Sequence, residues 1–540
     1  MYKSKLLRSA NFYIGSLGFL FCIMELIIHP VGNFPLNDEW LYAHTTFDFS
    51  KTNVIDTSAW GYTSMLTHIL YGSFFIKLFG LSYSVLHYST LVWSFFGIVC
   101  FYRLLNDFFV KQPFHSFLMT LLMLANPLYI SLSNSFMTDI PFLANTIIAL
   151  FFYLKYRSNK QFICLMMSAL FFIWAILIRQ LAFAFVAGIF ISELMVDRKK
   201  ILPALGILLT ASLFLGMFEY WLHAKGVDSY HYLFFSNANS LNSESLLFSL
   251  LNFSKRWIHY MSFSGFVLFP LLIPSLVSFL KNREFSKSKS AFLISTVLFI
   301  PVAWSMQKFP IGNYFYNTGI GPETLLDTYI LQTNNAHSFS VIFYGIKAVT
   351  YLGAFTLLFI MVNHVFLLFS QGIKVQETRL PYWIIGCSLF FYYSFLAIAS
   401  PIFDRYIMVF SVFVIPLIYK DAIAWNLKLI LPLIFILMLF SVFATKDYFS
   451  GHETRWAAID FLKTQYKVKD EDINGGLEHE SKVFYKTNNW FGKWQNVPKN
   501  KYVISYGNLK GYRKFTWFTF QRCIPRKRDT IFVLKDDEQP

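Results

Sequence analysis

"SMLTHILYGSFFIKLFG", residues 64–80, is the stretch whose reading decides the topology of the chain. Its apolar residues recur at helical spacing, but they include His68 and Lys77. That pattern fits an amphipathic helix lying on the outer membrane surface better than a span. Counted as a span, it inverts the sidedness of every later segment.

The basic clusters check this choice, because Lys and Arg collect on the cytoplasmic side of short loops. Lys3, Lys5 and Arg8 place the N-terminus inside, and a retained first helix over about residues 10–29 delivers "FPLNDEWLYAH", residues 34–44, to the outside. An outer loop then runs over 30–82. The next spans, about 83–102, 114–132 and 138–154, lead to Arg103 and Lys111, outward, and back to Lys155, Arg157 and Lys160. Spans at about 161–178 and 181–196 precede the inner "DRKK" of 197–200, and 201–222 leads to an outer polar loop at 224–258. An eighth span returns to Lys281, Arg283, Lys287 and Lys289. Spans at about 291–307 and 340–369 flank a second outer loop, Lys374 and Arg379 fall inside, and three more spans end near 445.

Composition agrees with that reading. The 540 residues are 56% hydrophobic and 20% aromatic with only 14% charged, a profile far from that of soluble domains. The net charge of +16 resides mostly in short clusters between apolar spans, so it reads as a topology signal and not as a nucleic-acid surface. Four of the five cysteines lie in or at the ends of apolar spans, which indicates neither a disulfide framework nor a Cys-based zinc site. The expected fold is an all-α polytopic membrane protein of about thirteen transmembrane helices over 1–445. Residues 446–540 differ: "KYVISY", "FTWFTF" and "DTIFVL" favour strands, with "NGG" and "GNLKGY" as turns, and predict a small extracytoplasmic C-terminal α+β domain.

Four constellations carry the candidate chemistry, all on the outer side under this topology. Asp38 and Glu39 stand at the exit of the first span, with Trp40 and Tyr42 suited to the membrane interface. A carboxylate partly desolvated at that boundary gains strength as a general base. Asp139, in "SFMTDIPFLAN", opens the fourth span, where Thr138 or Asp139 as N-cap and Pro141 in the first turn also make an ordinary helix start. Arg179 occupies a very tight outer turn, "LIRQLAF". Asp404, Arg405 and Tyr406 begin the twelfth span in "SPIFDRYIMVF", where a local Asp–Arg pair is the plain reading. Ionisable residues deeper in spans are few, chiefly Glu25, Glu193 and Glu219, and they offer no relay across the membrane. No HxH or HExxH pattern is present, and no metal site is expected.

"DEWLYA" resembles the acidic motif of membrane glycosyltransferases of the C-type (GT-C) fold, in the protein O-mannosyltransferase and lipid A aminoarabinose transferase group. The span layout and the outward tail are similar to the aminoarabinose branch, whereas "DTSAWGYTSML" stands where many bacterial relatives carry a Lys-Pro-Pro-like segment. The resemblance implies transfer of a sugar from a polyprenyl-phosphate donor to an envelope glycan, lipid or protein acceptor on the outer face of the inner membrane. It implies Asp38 as the catalytic carboxylate, Glu39 as its neighbour and Asp139 as a second acidic position. Guanidinium groups stabilise a leaving phosphate strongly near a low-dielectric boundary, which nominates Arg179 and Arg405 for the donor phosphate. Trp40, Tyr42, Asp404 and Tyr406 are the expected substrate contacts. The alternative is a transporter or flippase of a lipid-linked saccharide, in which the same residues only bind their cargo.

Overall fold

The computed structural model describes residues 10–55, 65–225, 246–281, 289–305, 340–371, 377–398, 403–419, 427–476, 478–480, 500–524 and 526–537. The polar loop after residue 225 and the second long loop, after residue 305, lie outside them.

Among the described residues every apolar stretch expected to span is helical. In chain order the helices are α1 (Ala10–Ile28), α2 (Glu39–Thr52), α3 (Leu66–Phe79), α4 (Tyr83–Leu104), α5 (Pro113–Leu124), α6 (Pro127–Ser133), α7 (Asp139–Asn159), α8 (Phe162–Ile176), α9 (Phe183–Val196) and α10 (Ile201–Ala224). There follow α11 (Leu246–Lys281), α12 (Lys289–Ser305), α13 (Ser340–Gln371), α14 (Leu380–Ile398), α15 (Asp404–Tyr419) and α16 (Leu427–Gln465). Six described helices have the length and hydropathy to cross a membrane, and a seventh is obtained if α5 and α6 count as one broken span. The remaining candidates are shorter or less apolar. The chain is therefore a multi-pass, all-α membrane protein, and helix length and composition alone account for fewer crossings than the thirteen expected.

The break between α5 and α6 bends the chain by 68°. Pro127 cannot continue the preceding helix, Asn126 caps the new one by accepting from the Leu128 amide at 3.0 Å, and the Ala125 carbonyl accepts from the Ser441 hydroxyl at 2.6 Å. From 118 to 150 the chain is buried without interruption, so this broken helix and the first half of α7 form the inner column of the bundle. Around it α4 and α8 pack on α7, α9 packs on α14, and α11 packs on α13. The last contact is close because it is made of glycine. A Cβ on Gly353 would sit 2.1 Å from the Gly265 carbonyl oxygen, and a Cβ on Gly265 2.3 Å from the Ala354 amide.

The ends of α7 differ in kind. At its C-terminal end Arg157 pairs with buried Glu193 at 2.7 Å and with Glu377 at 3.2 Å, and Lys200 meets Glu377 at 2.6 Å. Three of the basic clusters read as cytoplasmic thus lie together at one end, while Asp139 opens the other.

Helix α3 shows the reverse of a soluble pattern. Thr67, His68 and Ser73 are buried, whereas Leu70, Phe74 and Leu78 are exposed. Polar groups turn inward because the protein supplies partners: the Thr67 hydroxyl donates to the Trp174 carbonyl at 2.8 Å, and His68 Nε2 lies 3.2 Å from the Phe136 carbonyl. The apolar side is left for lipid, as a helix in contact with the bilayer requires.

Helix α16 does not stop near 445. It continues to Gln465 and packs Ala458, Ile459 and Leu462 on a four-stranded sheet of β1 (Ile473–Asn474), β2 (Tyr502–Ser505), β3 (Tyr512–Arg522) and β4 (Lys527–Asp536). The strand order is β1-β2-β4-β3, with β1 parallel to β2 and the other pairs antiparallel. The three strand-favouring runs form β2, β3 and β4, so the tail is a small α+β domain whose helix is the end of α16.

Candidate active site

The sequence separates the four constellations by up to 367 residues, and the fold brings them together. Asp38 ends the turn before α2 without using its side chain as a cap. Its Oδ2 instead accepts from Arg405 Nη1 at 2.9 Å. The Arg405 guanidinium lies over the rings of Phe403, at 4.6 Å, and Tyr406, at 5.5 Å. Arg179 lies over the Tyr406 ring at 5.0 Å and holds Asp139 with two bonds of 3.0 Å. Tyr406 is thus the shared aromatic contact between two arginine–carboxylate pairs.

The pairs differ in what remains open. Arg179 donates through Nε to the Thr138 hydroxyl at 2.7 Å and through both Nη atoms to Asp139, and all three residues are buried. Such a bidentate, buried pair is a fixed element of structure. Thr138 and Asp139 do begin α7, but the Thr138 hydroxyl serves Arg179 and makes no cap bond. Arg405, by contrast, is 4% exposed and its Nε has no hydrogen-bond partner among the described residues, while its partner Asp38 is 37% exposed. A buried guanidinium N–H left over is a donor waiting for an anionic oxygen.

The adjacent carboxylates are also distinct. Glu39 is fully buried, with Oε1 accepting from the Leu36 amide at 2.8 Å and lying 2.7 Å from His87 Nε2, and Oε2 accepting from the Phe136 amide. The desolvated carboxylate is therefore Glu39, and it is engaged on both oxygens. Asp38, which the resemblance implies as the catalytic carboxylate, retains an open face.

Asp404 is buried, and its Oδ1 accepts from the Arg405 backbone amide at 2.8 Å. The local Asp–Arg pair expected there does not form in that way, because the guanidinium reaches back to Asp38. Trp40 and Tyr42 are buried at 3% and 6% exposure. They pack within the protein and do not form the interfacial pair expected from their position. Tyr42 meets His68 edge-on at 6.3 Å, and burial pushes its phenol up, so it stays protonated. Burial likewise pushes the His68 imidazole down to about 4, keeping it neutral.

Four further positions that meet the site escaped the sequence reading. His87 orients Glu39. Glu478, Arg455 and His452 come from the tail: Glu478 Oε1 accepts from the Asn37 amide at 2.8 Å, next to Asp38, and its Oε2 accepts from Arg455 Nη2 at 2.7 Å. That same Nη2 lies 3.0 Å from His452 Nδ1. Asn37 carries φ +54°, a left-handed conformation that asparagine tolerates better than most residues, and the Glu478 bond helps to hold it. The dense "LEHE" after the "NGG" turn was the available signal. Among the described residues no group of three or more His, Cys, Asp or Glu side chains is placed to hold a metal ion.

No family model matches the chain, and no curated protein matches it. Among solved structures it aligns with ArnT from Cupriavidus metallidurans in the apo state, at 13% identity and TM-score 0.41, over 96% of this chain and 98% of that one. It aligns with the same protein bound to undecaprenyl phosphate at 12% identity and TM-score 0.40, over the same shares of each chain.

Proposed function

We propose that the protein is a membrane glycosyltransferase that takes a sugar from a polyprenyl-phosphate carrier and transfers it to an acceptor on the outer face of a bacterial-type inner membrane. One observation carries the reading: the open face of Asp38 lies beside a buried arginine whose Nε has no partner among the described residues. That is the pairing a metal-independent transfer needs, a base for the acceptor and a cation for the leaving phosphate.

In the proposed step the acceptor oxygen forms a bond to the anomeric carbon as the carbon–oxygen bond to phosphate breaks. The phosphate leaves with the electron pair toward Arg405, and the acceptor proton passes to Asp38. Attack opposite the leaving group inverts the anomeric configuration. Arg179, Asp139 and Thr138 hold the floor of the site, Glu39 and His87 fix the turn that presents Asp38, and Tyr406 keeps both guanidinium groups in register. The carrier approaches through the membrane, the acceptor from water, so the site belongs at their boundary, with the N-terminus inside and the tail outside.

The test is consumption of radiolabelled polyprenyl-phosphate sugars by the purified protein with membrane extract as acceptor. Asp38→Asn is expected to lose turnover by a factor of about 10²–10⁴ while still binding donor. A product of retained configuration sinks the single-displacement step. Movement of a donor across liposomes without release of polyprenyl phosphate replaces the reading with a flippase.

A further inference from the structure

The chain reverses from β3 into β4 through "RCIPRKR", residues 522–528. β3 runs back along α16 toward the bundle: Phe515 meets Tyr466 at 4.9 Å, Phe518 meets Phe461 at 5.5 Å, and the Phe520 ring is 3.5 Å from where a Cβ on Gly451 would stand. About one helical turn closer to the bundle, Asp447 fixes the reversal, its Oδ1 accepting from the Cys523 amide at 2.7 Å and its Oδ2 from the Ile524 amide at 2.9 Å. The reversal is therefore held at the level where the apolar run of α16 ends. We propose that Arg526 and Arg528 of this hairpin, with Lys446 of α16, bind the phosphate headgroups of anionic phospholipids, so that the C-terminal domain rests on the leaflet beside it. The proposal does not depend on the transferase reading.

Charge points to an anion. The carboxylates of the hairpin are already matched: Asp529 pairs with Arg522 at 3.2 Å and with Lys527 at 3.0 Å, while Asp447 holds the two amides and has Arg522 Nε at 3.8 Å. Arg526 and Arg528 are exposed and Lys446 is half-buried, and none of the three forms an ion pair among the described residues. Burial and the Asp447 carboxylate push the Cys523 thiol up, and Lys446 and Arg526 both oppose them, which places the two cations near one side chain although 80 positions of sequence separate them.

Position says that the anion is lipid. Leu431, Phe435, Ile436 and Leu439 are exposed and mark the side of α16 that faces the hydrocarbon. Lys446 follows Leu439 by seven residues, so it continues that side about 10 Å closer to the sheet. A lysine there lays its stem on apolar surface and extends its ammonium to the headgroups. Arg526 and Arg528 add exposed guanidinium groups at the same level, and each cation near an anionic lipid surface is worth about fivefold in affinity.

The experiment is hydrogen exchange of the full chain in nanodiscs of phosphatidylcholine, with and without added phosphatidylglycerol. Exchange over 521–524 and 526–528 is expected to slow about fivefold or more with phosphatidylglycerol, and the slowing shrinks as salt is raised. Arg526→Gln combined with Arg528→Gln abolishes the slowing, while unchanged exchange at Ile531, Val533 and Leu534, inside the sheet, shows that the domain folds. Lys446→Gln, outside the sheet, weakens the slowing and decides the matter if the double change disturbs the fold. Equal exchange in the two lipids, or slowing that persists in full in these variants, overturns the proposal. Equal slowing by inorganic phosphate over phosphatidylcholine discs also overturns it, by assigning the hairpin a free anion.

Discussion

At Asp38 and Glu39 the chain places two chemically similar groups side by side, and their neighbours set them to different tasks. Glu39 accepts from two backbone amides and meets His87, while Asp38 keeps one oxygen on Arg405 and one face open. The same contrast separates the two arginines and is open to measurement. Arg179→Ala leaves Asp139 charged, buried and without its cation, which costs about 3–5 kcal/mol and lowers the thermal midpoint in detergent strongly. Arg405→Ala strands only the partly exposed Asp38, which water can reach, so its midpoint falls far less while donor binding is lost. Equal destabilisation by the two changes refutes this division of labour. Residue types and their places at the ends of apolar stretches were legible in the sequence, but the partnerships were not. Asp404 adjoins Arg405 in the chain and so suggested itself as the partner, yet the carboxylate that holds the guanidinium is Asp38. Adjacent residues on a helix do not face each other, and only the packed fold can say what each side chain meets instead.

Among the elements, α16 departs furthest from expectation. Hydropathy falls near 445 and marks where the apolar span ends, but the helix continues because Ala458, Ile459 and Leu462 find a second apolar surface on the sheet. The β runs were readable because alternation within 501–534 is a local signal, whereas docking of the C-terminal end of α16 on the 34–37 turn is a long-range one. That docking is expected to respond to pH. His452 is surrounded by Arg455, Glu478, Tyr448 and Phe34, and burial together with the nearby guanidinium pushes its imidazole down to about 3. An unfolded imidazole takes up its proton near 6.5. Between those values the unfolded form binds the proton and the docked form does not, so stability declines as pH falls from about 6.5 toward 3. Glu478, held low by Arg455, acts in the same direction. The thermal midpoint measured against pH is expected to fall over this window, and His452→Gln is expected to make the fall shallower. An unchanged slope removes His452 from the cause.

For the molecule as a whole, the grouping of basic clusters away from the Asp139 end of α7 was legible, and the number of crossings was not. Arg157, Lys200 and the Glu377 turn meet at one end of α7, with the Asp139 site at the other, as the spacing of basic clusters anticipated. Crossing number is harder to read because broken α5–α6 and the shorter α8, α9 and α12 compensate for length or polarity through neighbours that hydropathy does not see. Reporter fusions at residues 50 and 107 are expected to lie on opposite sides of the membrane; a common side refutes the placement of α3. The uninterrupted course of α16 from Leu427 to Gln465 has a mechanical corollary. A rigid rod transmits angle as faithfully as height: each residue added between the bundle and the sheet would turn the C-terminal domain by about 100° and lift it by about 1.5 Å. Evolution can therefore lengthen this shaft only in phase, by increments near whole turns, if Glu478 is to keep its bond to Asn37.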